Sequence, residues 1–227
     1  MTIGTKSVLY GAHAFWLHPW FVAVAWWQLY GFPWDPRLWV AFFVHDLGYL
    51  GKPNMDGDEG EQHPLFGARV MALFDGHWWW ETRLLLNIDQ TFWASRYGTL
   101  NMGRWARFSL LHSRYFAKRL LLQPSRLCIA DKLALALTPG WLYLPMVRAT
   151  GEIDEYMAQA VYRAKSNEAL SEDERRAVVS GDQQRWYGGV QAYLRRWVAE
   201  HKDGQVDTWT AAQGKQRATL GADGVWR

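Results

Sequence analysis

The chain has 227 residues with 49% hydrophobic content, a formal net charge of +3, a single cysteine and sixteen tryptophans. That length builds one generous domain, or a domain with an extension, around a sizeable core. The lone Cys128 excludes an internal disulfide framework and fits a reducing compartment. Tryptophan at this abundance suits membrane-interfacial, carbohydrate-binding and aromatic-core proteins alike, so it selects no class.

At the amino terminus, MTIGTKSVLYGAH has no continuous apolar stretch and no small-residue cleavage site, so no signal peptide is expected. The longest apolar runs, 19–27, 133–137 and 141–147, fall short of the ~20 residues that span a bilayer. A cytoplasmic protein without an integral membrane segment is the expectation.

Residues 16–31 read as a helix, with Pro19 in its first turn and Gly31 at its C-cap. His18 shares a face with Val22, Ala25, Trp26 and Leu29, as a satisfied core side chain or an inward-facing ligand. His13, upstream of that helix, is the weaker candidate. After a turn over 32–35, Asp35 caps and Pro36 opens an apolar helix that runs into His45-Asp46. There the dipeptide is either a polar helix end or a nitrogen and a carboxylate aimed at one cation. A polar, glycine-rich loop follows. His63, Gly67, Val70 and Phe74 then line one stripe of the next helix, with Pro64 just inside it and Asp75-Gly76 at its end. Trp78-Trp79-Trp80 opens a further helix through Leu86.

One helix is expected over 104–122, carrying His112, and another after Pro124 as far as Leu137. The second holds Asp131 among Ile129, Ala130 and Leu133. Burying that carboxylate is costly unless a cation, or an ion pair with Lys132 or Arg126, compensates. Pro139-Gly140 and Pro145 mark a tight aromatic connection. Beyond it the pattern is amphipathic over 153–164, behind a Ser171–Glu174 capping box, and over 182–200, before a polar stretch from Lys202 expected to be loosely ordered. Strand signals are almost absent, and no repeat or phosphate-binding glycine motif occurs, so the fold class is all-α. The expected organisation is a helical domain over 1–150, a helical extension over 151–201 packed on it, and a tail over 202–227.

Charge is unevenly placed. Between Arg96 and Arg148 nine basic residues accompany one acid, Asp131, whereas the loop after Asp46 carries Asp56, Asp58, Glu59 and Glu61 against Lys52. Such a pairing suits a metal-dependent site for an anionic substrate, and equally a solvated helical face.

Taken in order, His18, His45-Asp46, His63, His112 and Asp131 lie in the settings HPWFVAVA, FFVHDLGY, EQHPLFGA, LLHSR and CIADKLA. This series resembles the HD-domain superfamily of metal-dependent phosphohydrolases, over roughly residues 13–138. The resemblance implies an HD-type helical bundle and a four-ligand core of His18, His45, Asp46 and Asp131. It implies a second site completed by His63 and His112, with Asp46 bridging, and a cofactor of two divalent transition ions among Mn, Fe, Ni, Co and Zn. The implied activity is metal-assisted hydrolysis of a small phosphorylated substrate, a nucleotide or another phosphate ester. Asp46, Lys52 and Arg114 would take catalytic roles, and Lys52, Arg114, Lys118 and Arg126 would meet phosphate. The family's lysine soon after the pair, HDxGK, is displaced here to Lys52 in GYLGKPN. Tyr49, Tyr115 or Trp16 would stack on a nucleobase. Two other readings share these ligands. A minority of the superfamily, resembling myo-inositol oxygenase and a related phosphonate-cleaving enzyme, activates oxygen at a di-iron pair. A non-catalytic binding module would keep the pocket for structure alone. The surplus of tryptophan adds the expectation of a homo-oligomer formed through an aromatic surface.

Overall fold

The computed structural model describes residues 1–76, 102–168 and 170–207. The expected helix from Trp78 to Leu86, the basic Arg96 and the tail beyond 207 lie outside those residues. The described helices are α1 (Ile3–Tyr10), α2 (His18–Tyr30), α3 (Pro36–Val44), α4 (Pro64–Ala72), α5 (Arg104–Leu110) and α6 (Arg114–Arg119). They continue as α7 (Arg126–Leu137), α8 (Gly140–Thr150), α9 (Glu152–Ser166), α10 (Glu172–Val178) and α11 (Gln183–His201). Short 3-10 turns over Leu47–Tyr49 and Gly60–Gln62 link α3 to α4. Among the described residues there is no strand, and the fold is all-α.

The centre of the molecule is α7. Ser125 caps it by accepting the Cys128 N–H, satisfying one donor that a helix start leaves open. Leu127, Ala130 and Ala134 pack into a core with Val22, Ala25 and Trp26 of α2, Phe42 of α3 and Met71 of α4. Cys128, Ile129 and Ala136 pack instead against Tyr193, Leu194, Trp197 and Val198 of α11. A helix with apolar residues on two opposite faces belongs between two others, and α7 takes that place. Asp131 is therefore carried into the interior by a helix whose remaining faces are already committed.

Two stretches differ from the expectation. Residues 104–122 are two helices, because Ser113 has an extended backbone (φ −83°, ψ 124°) and opens α6 after a turn at 111–113. The apolar spacing runs across that turn unbroken and conceals it. The expected connection after Thr138 is instead helix α8, set at 101° to α7. Pro139 is the cap rather than a breaker. Pro145 lies inside and removes one backbone hydrogen bond, while Tyr143, Leu144 and Val147 on the same helix enter a second core with Ile153, Trp186 and Tyr187. Their burial, at about 1.5–3 kcal/mol for each large apolar side chain, outweighs the lost bond. The start of the tail is also packed: Asp207 is buried.

Candidate metal centre

Four helix ends and one helix middle supply the site. His18 opens α2, His45 and Asp46 close α3, His63 precedes α4, His112 sits in the turn between α5 and α6, and Asp131 projects from mid-α7. All six side chains are buried. Two glycines allow this convergence. A Cβ on Gly48 would lie 2.0 Å from the His63 carbonyl oxygen, and one on Gly67 would lie 2.7 Å from Ser109 Oγ and 3.0 Å from His45 Cα. Only glycine lets the 60–63 turn and α4 approach the end of α3 so closely.

Asp46 stands between two groups. Its Oδ2 lies 3.0 Å from His45 Nε2 and 3.4 Å from His18 Nε2, and His18 Nε2 is also 3.0 Å from Asp131 Oδ1. Its Oδ1 lies 3.4 Å from His112 Nε2 and 3.6 Å from His63 Nε2. The ligand atoms of His18, His45, Asp46 and Asp131 all fall within 4.8 Å of one another, as do those of Asp46, His63 and His112. The six residues picked out in the sequence thus meet in one two-lobed cluster.

Ring orientation argues for a cation. His45, His63 and His112 each donate Nδ1–H to the carbonyl three residues back: Phe42 at 2.9 Å, Gly60 at 2.7 Å and Ser109 at 2.6 Å. A carbonyl only accepts, so the proton is on Nδ1 and the Nε2 lone pair points into the cluster. The His63 and His112 Nε2 atoms then face each other, lone pair to lone pair, 3.1 Å apart. Such a pair repels unless a positive charge lies between or beside it. His45 Nε2 and Asp46 Oδ2 are buried and lack any hydrogen bond of acceptable direction, despite their 3.0 Å separation. Buried polar atoms are seldom left in this condition. Imidazole nitrogens with carboxylate oxygens suit a first-row divalent transition ion better than calcium. The residues fit two ions, with Asp46 shared.

The electrostatics carry the same message. Burial alone would raise the Asp46 carboxyl, but the fields of the nearby His45 and His13 rings hold it well below the usual carboxylate range. Burial likewise opposes ionisation of Asp131, and Lys132 with His18 and His45 overrides it. Burial would lower His45, yet Asp46 and Asp131 push it up to about 10. His63 moves the other way, lowered by burial and then by His112, and stays neutral. Asp46 and Asp131 are therefore ionised, and without a bound ion His45 keeps a proton.

Two groups at the centre lie outside the expected ligand and phosphate-binding set, Lys132 and the weaker candidate His13. Lys132 Nζ lies 2.8 Å from Asp131 Oδ2, the ion pair weighed as an alternative to a metal, and here it accompanies the ligand cluster. His13 is the other. Its Nδ1–H donates to Ser7 Oγ at 2.9 Å, and Ser7 donates to Glu152 Oε2 at 3.0 Å. Glu152 is wholly buried and also accepts from Tyr156, Thr150 and the Ala12 amide. The His13 ring lies 4.8 Å from Tyr49, which stacks on His63 at 3.9 Å. Tyr49 is thus buried against a ligand and offers no platform to a nucleobase, contrary to expectation. Trp16 remains exposed, its indole N–H on the Leu9 carbonyl at 2.9 Å. Tyr115 is half-buried and accepts from Arg119 at 2.9 Å.

The four basic residues expected at phosphate are placed as follows. Arg114 donates to Asp207 at 3.0 Å and to Tyr193 at 2.8 Å, with its guanidinium over Trp197 at 4.5 Å. Lys118 also meets Asp207, at 3.3 Å, and burial with the neighbouring Arg114 brings it down to about 8. Arg126 lies over the Tyr30 ring at 5.0 Å. Lys52 ends the turn after Tyr49, its amide on the Tyr49 carbonyl at 2.9 Å. The cation in direct contact with a ligand carboxylate is Lys132.

No family model, curated protein or solved structure matches this chain. The sequence and geometry define an all-α protein with a buried His/Asp cluster fit to hold metal.

Proposed function

We propose that this protein is a metal-dependent phosphohydrolase of the HD type, acting on a nucleotide or another small phosphate ester. The observation that carries the reading is the position of Asp46, with one carboxylate oxygen toward His18, His45 and Asp131 and the other toward His63 and His112. Those are the ligands, in the roles, that the sequence resemblance implies. Two bound transition ions supply Lewis acidity at a phosphoryl oxygen and acidify a water. The chain's own residues do the rest. Asp46 and Asp131 bring the negative charge that holds cations in a buried site, and the three backbone-anchored imidazoles keep their lone pairs aimed inward. Lys132 stays protonated under the field of Asp131 and, being partly exposed, offers its remaining N–H bonds to a phosphoryl oxygen. The Glu152–Ser7 pair fixes the His13 ring beside the cluster with its Nε2 left to accept or relay a proton.

The test is a phosphate-release screen across nucleotide classes with Mn, Fe, Ni and Mg supplied in turn, repeated with Asp46→Ala. Release in the wild type with at least one ion, and its loss in the variant, is the expected outcome. Metal uptake with oxygen consumption and no phosphate release would replace the reading with an oxygenase. Absence of any metal uptake would remove it.

A further inference from the structure

Helix α2 has no Lys, Arg, Asp or Glu between His18 and Tyr30, and its exposed side is apolar except for Gln28 beside Trp27. A helix of this kind is normally enclosed. Val22, Ala25 and Trp26 lie in the core, while Trp20 (53% exposed), Val24 (46%) and Trp27 (60%) face outward. Trp16, 53% exposed, lies in the turn just before α2. The surface is contiguous through its rings. Trp20 meets Trp39 at 5.9 Å and Phe43 at 5.7 Å, and Phe32 meets Trp27 at 5.8 Å, Trp34 at 4.5 Å and Trp39 at 6.4 Å. Trp34 is 83% exposed.

At roughly 250 Å² for a whole indole, this face presents about 700 Å² of apolar surface. That exceeds the ~300–600 Å² of the largest patch on a typical monomer. It approaches the roughly 800 Å² that each partner gives to a standard interface. The geometry points to a second copy of this chain as the occupant, docked through a two-fold axis beside Val24. Along α2 the exposed order is large, small, large: Trp20, Val24, Trp27. About an axis between Ala23 and Val24, antiparallel α2 helices set Trp20 of one copy against Trp27 of the other, and the small central residues let the helices approach. A lipid surface suits this face less well. Interfacial helices set Lys and Arg along a polar face, whereas the opposite face of α2 is buried in the core, Arg37 is closed by Asp35 at 2.7 Å and Arg126 lies over the Tyr30 ring at 5.0 Å. The inference is independent of the chemistry at the His/Asp centre.

Sedimentation equilibrium of the full chain tests it. The wild type is expected at twice the chain mass of 26.4 kDa. Trp20→Glu with Trp27→Glu gives a monomer of unchanged helical circular dichroism. Trp34→Ser, at a side chain too exposed to be needed for folding, weakens association by roughly tenfold. Val24→Cys closes a disulfide with its own copy under mild oxidation, since Cys128 is buried and helices packed ~8–10 Å apart place facing Cα atoms within disulfide reach. Three results each overturn the proposal: a wild type still monomeric at roughly 100 μM; a dimer unaffected by Trp34→Ser and not cross-linked by Val24→Cys; or a monomer that co-sediments with phosphatidylcholine vesicles in a Trp20-dependent way.

Discussion

Asp46→Asn separates a metal centre from a polar cluster that merely satisfies itself. The amide keeps the shape of the carboxylate and removes its charge. In the metal-free protein the exchange is felt chiefly at His45. The Asn NH₂ can turn toward the lone pairs of His63 and His112, now 3.6 and 3.4 Å from Oδ1, but the amide no longer balances the charge on His45, whose Nε2 lies 3.0 Å from Oδ2. The metal-free protein therefore loses about 1–3 kcal/mol at neutral pH. With metal the variants diverge. An ion held only by the folded state adds about 2.7 kcal/mol at a hundredfold excess over its Kd. In a chain of this size that is about 5–10 °C in Tm for each ion. Because both lobes share Asp46, the substitution removes most of the rise from both. The assay is thermal unfolding in Mn, Fe, Co, Ni or Zn, with metal content counted after desalting. A variant that binds as many ions as wild type, with the same thermal shift, would refute the bridging role.

Three further outcomes follow from the same geometry. His45 is raised from 6.5 to about 10, so in the metal-free protein its stabilisation is complete below pH 6.5 and is lost as pH climbs through 10. An incoming ion displaces that proton, so apparent affinity rises roughly tenfold per pH unit between about 7 and 9, with proton release visible by calorimetry in buffers of different ionisation heat; a flat profile would contradict this. Lys132→Met strips Asp131 of its 2.8 Å partner and costs the metal-free protein about 1–3 kcal/mol in urea denaturation, a loss that saturating metal restores. Gly48→Ala places a Cβ 2.0 Å from the His63 carbonyl oxygen, displaces that ligand and lowers the metal count from two ions per chain to one; retention of both would show that the turn yields freely.

Much of this protein is written in local chemistry. Asp35 with Pro36, Ser125, the Ser171–Glu174 capping box and Asp182 mark helix starts that the structure places where the caps stand, because a cap acts within one turn of the backbone it satisfies. The 3.6-residue period likewise puts His18 and Asp131 on inward faces, and the ligands meet although 113 residues separate them. Caps and period do not disclose what is decided between distant segments. The turn at 111–113 that presents His112 interrupts no apolar pattern, and α8 runs through Pro145 because its core side chains outweigh one lost bond. Ser7 meets Glu152 across 145 residues and Arg114 meets Asp207 across 93, and no spacing rule links such pairs. By itself the sequence determined where the capped helices start, the inward faces of His18 and Asp131 and the order of the ligands. The docking of those helices alone decided which buried charges become neighbours, since the energy of a charge depends on what lies within a few ångströms in space and not along the chain.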